Sequence, residues 1–284
     1  GDLFEELLYG DQPLGWHITG PKTVIKTVTR DDFVNYFQTH YFDKNTVIAV
    51  AGAITPETSR QKVEKYFNTI RDSQRLAPIK VREAQGAPQS RIHYKVTDQT
   101  HFILGFRGFD YFSPQEPVLN AASMVLSAGF SSRLWNEFRE KRGLSYYIRS
   151  ANTSYADTGY FEISAGVDNA RLTEALTVAL AECKKLATAL VTASELKKVK
   201  DYARGKLAIA LETSDDLASF YADQQLLKGE LLTPEEKLAK LEAVTPEAIL
   251  AASQVIFRPE KLNLALIGPF QPNDPAINKI INTW

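Results

Sequence analysis

The sequence predicts an α+β fold built from two related halves, and three observations carry that reading. Predicted strands come in pairs, predicted helices then come in runs, and a strand returns near the end, unlike the strict alternation of a doubly wound sheet. Helix starts are marked by capping residues throughout. A 25-residue stretch near the beginning is echoed, without a gap, near the end.

In chain order, Thr29-Arg30-Asp31-Asp32 is the first clear helix start, an N-cap hydroxyl with an acid three residues on. Thr55-Pro56 opens another, with proline at the first helical position. Between them, 47–54 is an eight-residue apolar run and reads as a strand. Segment 72–89 carries Pro78, Gly86 and Pro88 without a clear period. It reads as an interdomain linker, taken as 73–90, or as a loop within one domain. Strands follow at 92–96 and 102–109, and Ser113-Pro114-Gln115-Glu116 marks the next helix start. Strands at 145–154 and 160–167 precede helices at 172–190, 194–211 and 216–227. Caps stand at Thr192, Thr233 and Thr245, and a last strand lies at 262–267.

The repeat places residues 28–52 over 244–268 at a constant offset of 216. Val28/Val244, Thr29/Thr245, Gln38/Gln254, Ala49/Ala265 and Gly52/Gly268 are identical, and Phe33/Ile249, Val34/Leu250 and Tyr41/Phe257 stay apolar. Both copies read cap, helix, short charged turn, strand, glycine. The second copy is preceded by a complete run of strands and helices from about residue 91, and the first is not. The first copy therefore reads as the end of a domain whose beginning lies outside this chain, leaving apolar faces that another segment or another chain would cover.

Composition narrows the function. The 284 residues include 33 basic and 34 acidic side chains and 44% hydrophobic residues, enough for a packed core. The balanced charge argues against nucleic acid or an anionic membrane as the main partner, and no apolar run reaches the length of a membrane span, so a soluble chain is expected. The single cysteine, Cys183, lies inside a predicted helix and reads as a small packed side chain rather than a nucleophile. His17, His40, His93 and His101 show no metal-ligand spacing and read as surface or strand-end histidines, so no metal is expected in this chain. Lys197, Lys198, Lys200, Arg204 and Lys206 are spread around one helix and read as a solvated face.

One stretch stands apart, from Gly129 through Ser131, Ser132, Arg133 and Leu134 to Arg139-Glu140-Lys141-Arg142-Gly143-Leu144 and Tyr146. A serine, Ser131 or Ser132, caps a short helix that ends near Arg142, with Gly143 placed for a left-handed C′ residue. The helix end and the strand start bring Arg139 and Tyr146 together. Both could donate hydrogen bonds to a peptide carbonyl on which charge develops. Equally, Arg139 could complement the helix terminus while Tyr146 packs.

This passage resembles the second-domain signature of the inverted-motif zinc metallopeptidases, the family of pitrilysin, insulysin and mitochondrial processing peptidase. The resemblance lies in a glycine-rich turn, Ser-Ser-Arg-Leu, Arg-Glu-Lys-Arg-Gly-Leu and a tyrosine seven residues after the arginine. Residues 8–15 with Gly20 also resemble a first-domain stretch of bacterial members. The resemblance implies two homologous sheet-plus-helices domains of the clam-shell type, the first truncated here. Residues 1–72 would be the C-terminal half of the first, zinc-binding type of domain, and 91–284 a complete second domain. In that family zinc is held by His-x-x-Glu-His and a later glutamate, all of which would precede Gly1, so Glu5 and Glu6 are not expected as ligands. The resemblance carries over only Arg139 and Tyr146, as substrate-binding residues. It implies zinc in the intact protein, a peptide substrate, and a possible homo- or heterodimer with a zinc-bearing homologue. A non-catalytic partner subunit and a structural core-type subunit are the alternatives within the same fold.

Overall fold

The computed structural model describes residues 1–74 and 76–284; Arg75, within the segment read as a linker, lies outside the described residues. The helices are α1 (Asp2–Tyr9), α2 (Lys22–Thr27), α3 (Arg30–His40), α4 (Pro56–Phe67), α5 (Glu116–Ser127), α6 (Arg133–Trp135), α7 (Leu172–Thr188), α8 (Ala193–Ala210), α9 (Ser214–Leu227), α10 (Pro234–Glu242), α11 (Pro246–Ile256) and α12 (Pro275–Thr283). The strands are β1 (Gln89–Tyr94), β2 (Gln99–Arg107), β3 (Ser145–Ser154), β4 (Gly159–Asp168) and β5 (Leu262–Gly268). The predicted α+β class holds.

The described residues form two compact units. The larger comprises Gly1–Trp16, Lys80–Ala203 and Leu238–Trp284 and carries one sheet in the order β1-β5-β2-β4-β3. β1 runs parallel to β5, and the other pairs are antiparallel. Period-two alternation sends Phe102, Leu104 and Phe106, Phe161, Ile163, Ala165 and Val167, and Leu262, Leu264 and Leu266 to one face. There they meet the apolar stripes of α5, α7, α11 and α12. Cys183 sits in that core on α7, as read from the sequence, and burial drives its thiol pKa upward.

The opposite face is covered at one end by α1. Phe4 is fully buried over Gly105, where a Cβ would stand 2.6 Å from the Phe4 ring and 2.6 Å from the Phe161 carbonyl oxygen. Tyr155 (2.5 Å) and Tyr160 (3.0 Å) both donate to Glu5 Oε1, and Glu6 pairs with Arg91 at 2.8 Å. The Arg107 side chain reaches the Leu8 carbonyl and Glu83 and donates to Gln85 Oε1 at 2.9 Å, a site shared with Asn263 Nδ2. Glu5 and Glu6 thus serve to seat α1.

The smaller unit comprises His17–Ile79 and Arg204–Lys237. Thr29 caps α3 in a capping box with Asp32, and Thr55 caps α4. The strand expected at 47–54 does not form. The segment is irregular, with most residues exposed, because a strand exists only against a hydrogen-bonding neighbour and no described strand lies beside it. Its offset equivalent, β5, has a neighbour on each side. A second correction concerns Ser113, which accepts the Gln115 amide on its hydroxyl at 3.2 Å in the turn ahead of the helix but is not the N-cap: α5 starts later, at Glu116, with Pro117 in its first turn.

Because Phe4 anchors α1 to the sheet, Phe4→Ala should cost about 3 kcal/mol and deprotect amides 2–9 in hydrogen exchange. Unchanged exchange there would show that α1 holds without it.

Candidate substrate-binding site

The site grows from a local irregularity on each of its two elements. On the first, α6 does not continue as an α-helix but widens into a π-helical segment, Asn136–Glu140, closed by the Lys141 amide on the Asn136 carbonyl at 2.9 Å. Ser132 is at the N-cap, but its hydroxyl donates back to the Gly129 carbonyl (2.8 Å) and caps no amide. Gly143, at φ 57°, takes the left-handed position expected of it, and the Gly143 amide bonds the Arg139 carbonyl at 3.1 Å.

The charged run then divides its work. Lys141 and Arg142 both pair with Glu137, and Arg142 also donates to the Glu137 carbonyl. Hydrogen bonding from Lys141, the first cause, holds the Glu137 carboxyl below the usual range. Glu140 accepts the Trp135 indole N–H at 3.1 Å. Arg139 has no carboxylate within ion-pair distance among the described residues. Its guanidinium lies 5.2 Å from the Trp135 ring and 5.4 Å from the Tyr146 ring, and Nη1 donates to the Tyr146 carbonyl at 3.3 Å.

On the second element, β3 carries a bulge. Ser145 pairs with Val167 and Ile148 with Ala165, so Tyr146 and Tyr147 together oppose the single residue Gly166. Both tyrosines stay out of the core: Tyr146 is 80% exposed, and Tyr147 is partly exposed. Arg139 therefore does not bond the helix carbonyls, and Tyr146 does not pack inward. A guanidinium with no carboxylate partner among the described residues and an exposed phenol stand side by side, with Phe130 edge-on to Trp135 at 4.9 Å.

The platform under this site is tied down by Arg133 and Glu195. The guanidinium is bidentate on the carboxylate, at 2.6 and 3.1 Å, and Glu195 also completes the Thr192 capping box of α8. The Arg133 hydrogen bonds, chiefly, pull the Glu195 pKa down to about 2.

Sequence reasoning found Arg139 and Tyr146 but missed the bulge and the Tyr147 contact with His101, whose ring nitrogen Nδ1 lies 2.8 Å from the phenol oxygen. The sequence carried no signal for the bulge: apolar Leu144 and Ile148 are four residues apart, in phase for an unbroken strand, and only the cross-strand register shows the extra residue. Lys200, read as part of a solvated face, reaches the Glu242 and Val244 carbonyls. Among the described residues, no three His, Cys, Asp or Glu side chains converge as metal ligands would. No helix among them is long and apolar enough to cross a membrane.

A family model described as the peptidase M16 inactive domain matches residues 27–202, more than half of the chain. The chain belongs to the M16 peptidase family. It is 30% identical to an uncharacterized zinc protease of Bacillus subtilis over 271 residues, 94% of this chain and 64% of that protein. It is 28% identical to an uncharacterized zinc protease of Streptomyces coelicolor, covering 95% of this chain and 60% of the relative. The chain thus spans roughly three fifths of the length of these relatives. Among solved structures, a Helicobacter pylori protease matches at a TM-score of 0.83 and 21% identity, over 94% of this chain and 65% of that one. A peptidase M16 inactive domain from Pseudomonas fluorescens matches at 0.81 and 20% identity, over 96% and 66%. A chain of complex III from Candida albicans matches at 0.84 and 16% identity, over 99% and 68%. These likenesses show the fold.

The Glu195 carboxyl is more acidic in the folded chain than when unfolded, so its contribution is complete above the ordinary value of 4.5 and drains away as pH falls toward about 2. After solvent screening it amounts to about 1–2 kcal/mol. Denaturant titrations at pH 6 and pH 2.5 should show the wild type losing that much more than Glu195→Gln; equal losses would deny the pair this role.

Proposed function

We propose that this chain is the C-terminal portion of a zinc-dependent endopeptidase or processing peptidase that cleaves extended peptides, and that it contributes substrate binding rather than the zinc site. The observation that carries the reading is the Arg139/Tyr146 pair: a cation without a carboxylate partner among the described residues, beside an exposed phenol. In this reading residues 1–72 are the C-terminal half of a first domain, 73–90 the linker and 91–284 the second domain. Offset by 216, α3 and α11 have the same bounds, as do the 3-10 turns Asp43–Asn45 and Pro259–Lys261, which supports treating the two stretches as equivalent.

Arg139 and Tyr146 each present N–H or O–H donors and would grip one backbone carbonyl of an extended peptide from two directions. Such donors act on kcat to the extent that they aim at the oxygen as it becomes an oxyanion. Zinc, named in the relatives, would supply an activated water in the intact protein. Among the described residues, no three His, Cys, Asp or Glu side chains form a donor set for it. A peptide or protein is the partner that fits. Pairing with a zinc-bearing homologue is the arrangement to expect if the full-length protein lacks its own metal motif.

In the full-length protein, Arg139→Ala should lower kcat/KM on a fluorogenic peptide by about 10²-fold, with thermal stability nearly unchanged because the side chain is exposed. Wild-type turnover with an intact fold would remove Arg139 from the site. If even the wild-type protein is silent until a zinc-bearing homologue is added, it acts as the non-catalytic partner.

A further inference from the structure

We propose that Tyr147 and His101 form a brace that aims Tyr146, so that Tyr147 is a positioning residue for the site; this rests on the reading of Tyr146 as a substrate-binding group. In an unbroken register from Ser145, Tyr147 would share the face of Ser145 and turn toward the core opposite Ala165. The extra residue keeps both tyrosines on the open side, and something must then hold that irregular pair, since one of its two residues has no cross-strand partner.

The brace supplies the hold. His101 on β2 is in register with Gly166 on β4, and the Tyr147 side chain crosses over the same glycine from β3. The phenol oxygen and His101 Nδ1 are 2.8 Å apart, and the rings stack at 6.1 Å. Gly166 is what permits the crossing: a Cβ there would stand 2.8 Å from the Tyr147 ring and 2.9 Å from His101 Nδ1. Tyr147 is thereby tied across three strands. Tyr146, its neighbour in the bulge, is free to point outward with its carbonyl on Arg139. Losing the tie releases the bulge and lets Tyr146 wander. A misplacement of about 1 Å can cost up to about 10²-fold in rate.

The test is a double-mutant cycle on the full-length protein with a fluorogenic peptide, comparing Tyr146→Phe, Tyr147→Phe and the double variant. Tyr147→Phe keeps the ring and deletes only the brace. It should lower kcat about tenfold with little change in KM, and should have no further effect once Tyr146 is already Phe. His101→Asn, which keeps a hydrogen-bonding group near Nδ1, should retain most activity, whereas His101→Leu should match Tyr147→Phe. If Tyr146→Phe lowers kcat while Tyr147→Phe does nothing, or the two losses simply multiply, the brace is overturned and the site reading stands. If Tyr146→Phe itself is silent, the site reading falls and the brace with it. Gly166→Ala offers an independent check, because it crowds the crossing directly and should reproduce the Tyr147→Phe loss in the wild-type background alone.

Discussion

The larger unit depends on one constraint: a five-stranded sheet must hide its apolar face, and it does so against α5, α7, α11 and α12. Burying a core phenylalanine or leucine is worth about 2–3 kcal/mol, so the register that keeps those residues inward is held by many side chains at once. That register is also what creates the site. Ser145 and Ile148 both face inward, yet two residues rather than one separate them, and the surplus becomes the bulge that turns two tyrosines outward. The exposed phenol of Tyr146 is a by-product of core packing on the other side of the strand.

The open face of the same sheet shows how a polar surface can still be closed over. α1 brings only Phe4, Leu8 and Tyr9 as buried apolar groups, and the rest of its seat is polar. Arg107 is largely buried, and its charge is tolerated because Leu8, Gln85 and Glu83 all face it and the Tyr9 ring lies 5.6 Å away. Desolvation raises the pKa of Glu162 on this face, as it does for the phenols of Tyr9, Tyr155 and Tyr160. Glu5 takes two phenolic hydrogen bonds where it might have been mistaken for a metal ligand.

The two stretches related by the offset make an internal control on what a sheet does for a helix. In α11, Ile249, Ala252 and Ile256 are buried under β5 and its neighbours. The corresponding positions of α3, Phe33, Tyr36 and His40, include aromatic side chains that are 66% and 60% exposed. The same local sequence signals make the same helix with the same bounds in both places. Only the one with a described sheet beside it has a buried face. α1 and α9 also correspond by the offset, and each groups with the unit that holds the body of the other stretch.

By itself the sequence determined the helix starts at Thr29, Thr55, Thr192, Thr233 and Thr245, since a cap is a contact between residues three apart and needs nothing distant. It also determined where β3, β4 and β5 run and the closeness of Arg139 to Tyr146, which are seven residues apart. Tertiary structure decided the rest, because strands and braces are made of partners far along the chain. Residues 47–54 have strand composition but no described neighbour, so no strand forms there. Gln99–Arg107 finds β4 and β5 and becomes the middle of a sheet. His101 looked like a stray strand-end histidine because Tyr147 and Gly166 lie 46 and 65 residues away from it. Only the pleated register, which fixes who stands opposite whom, brings the three into one row.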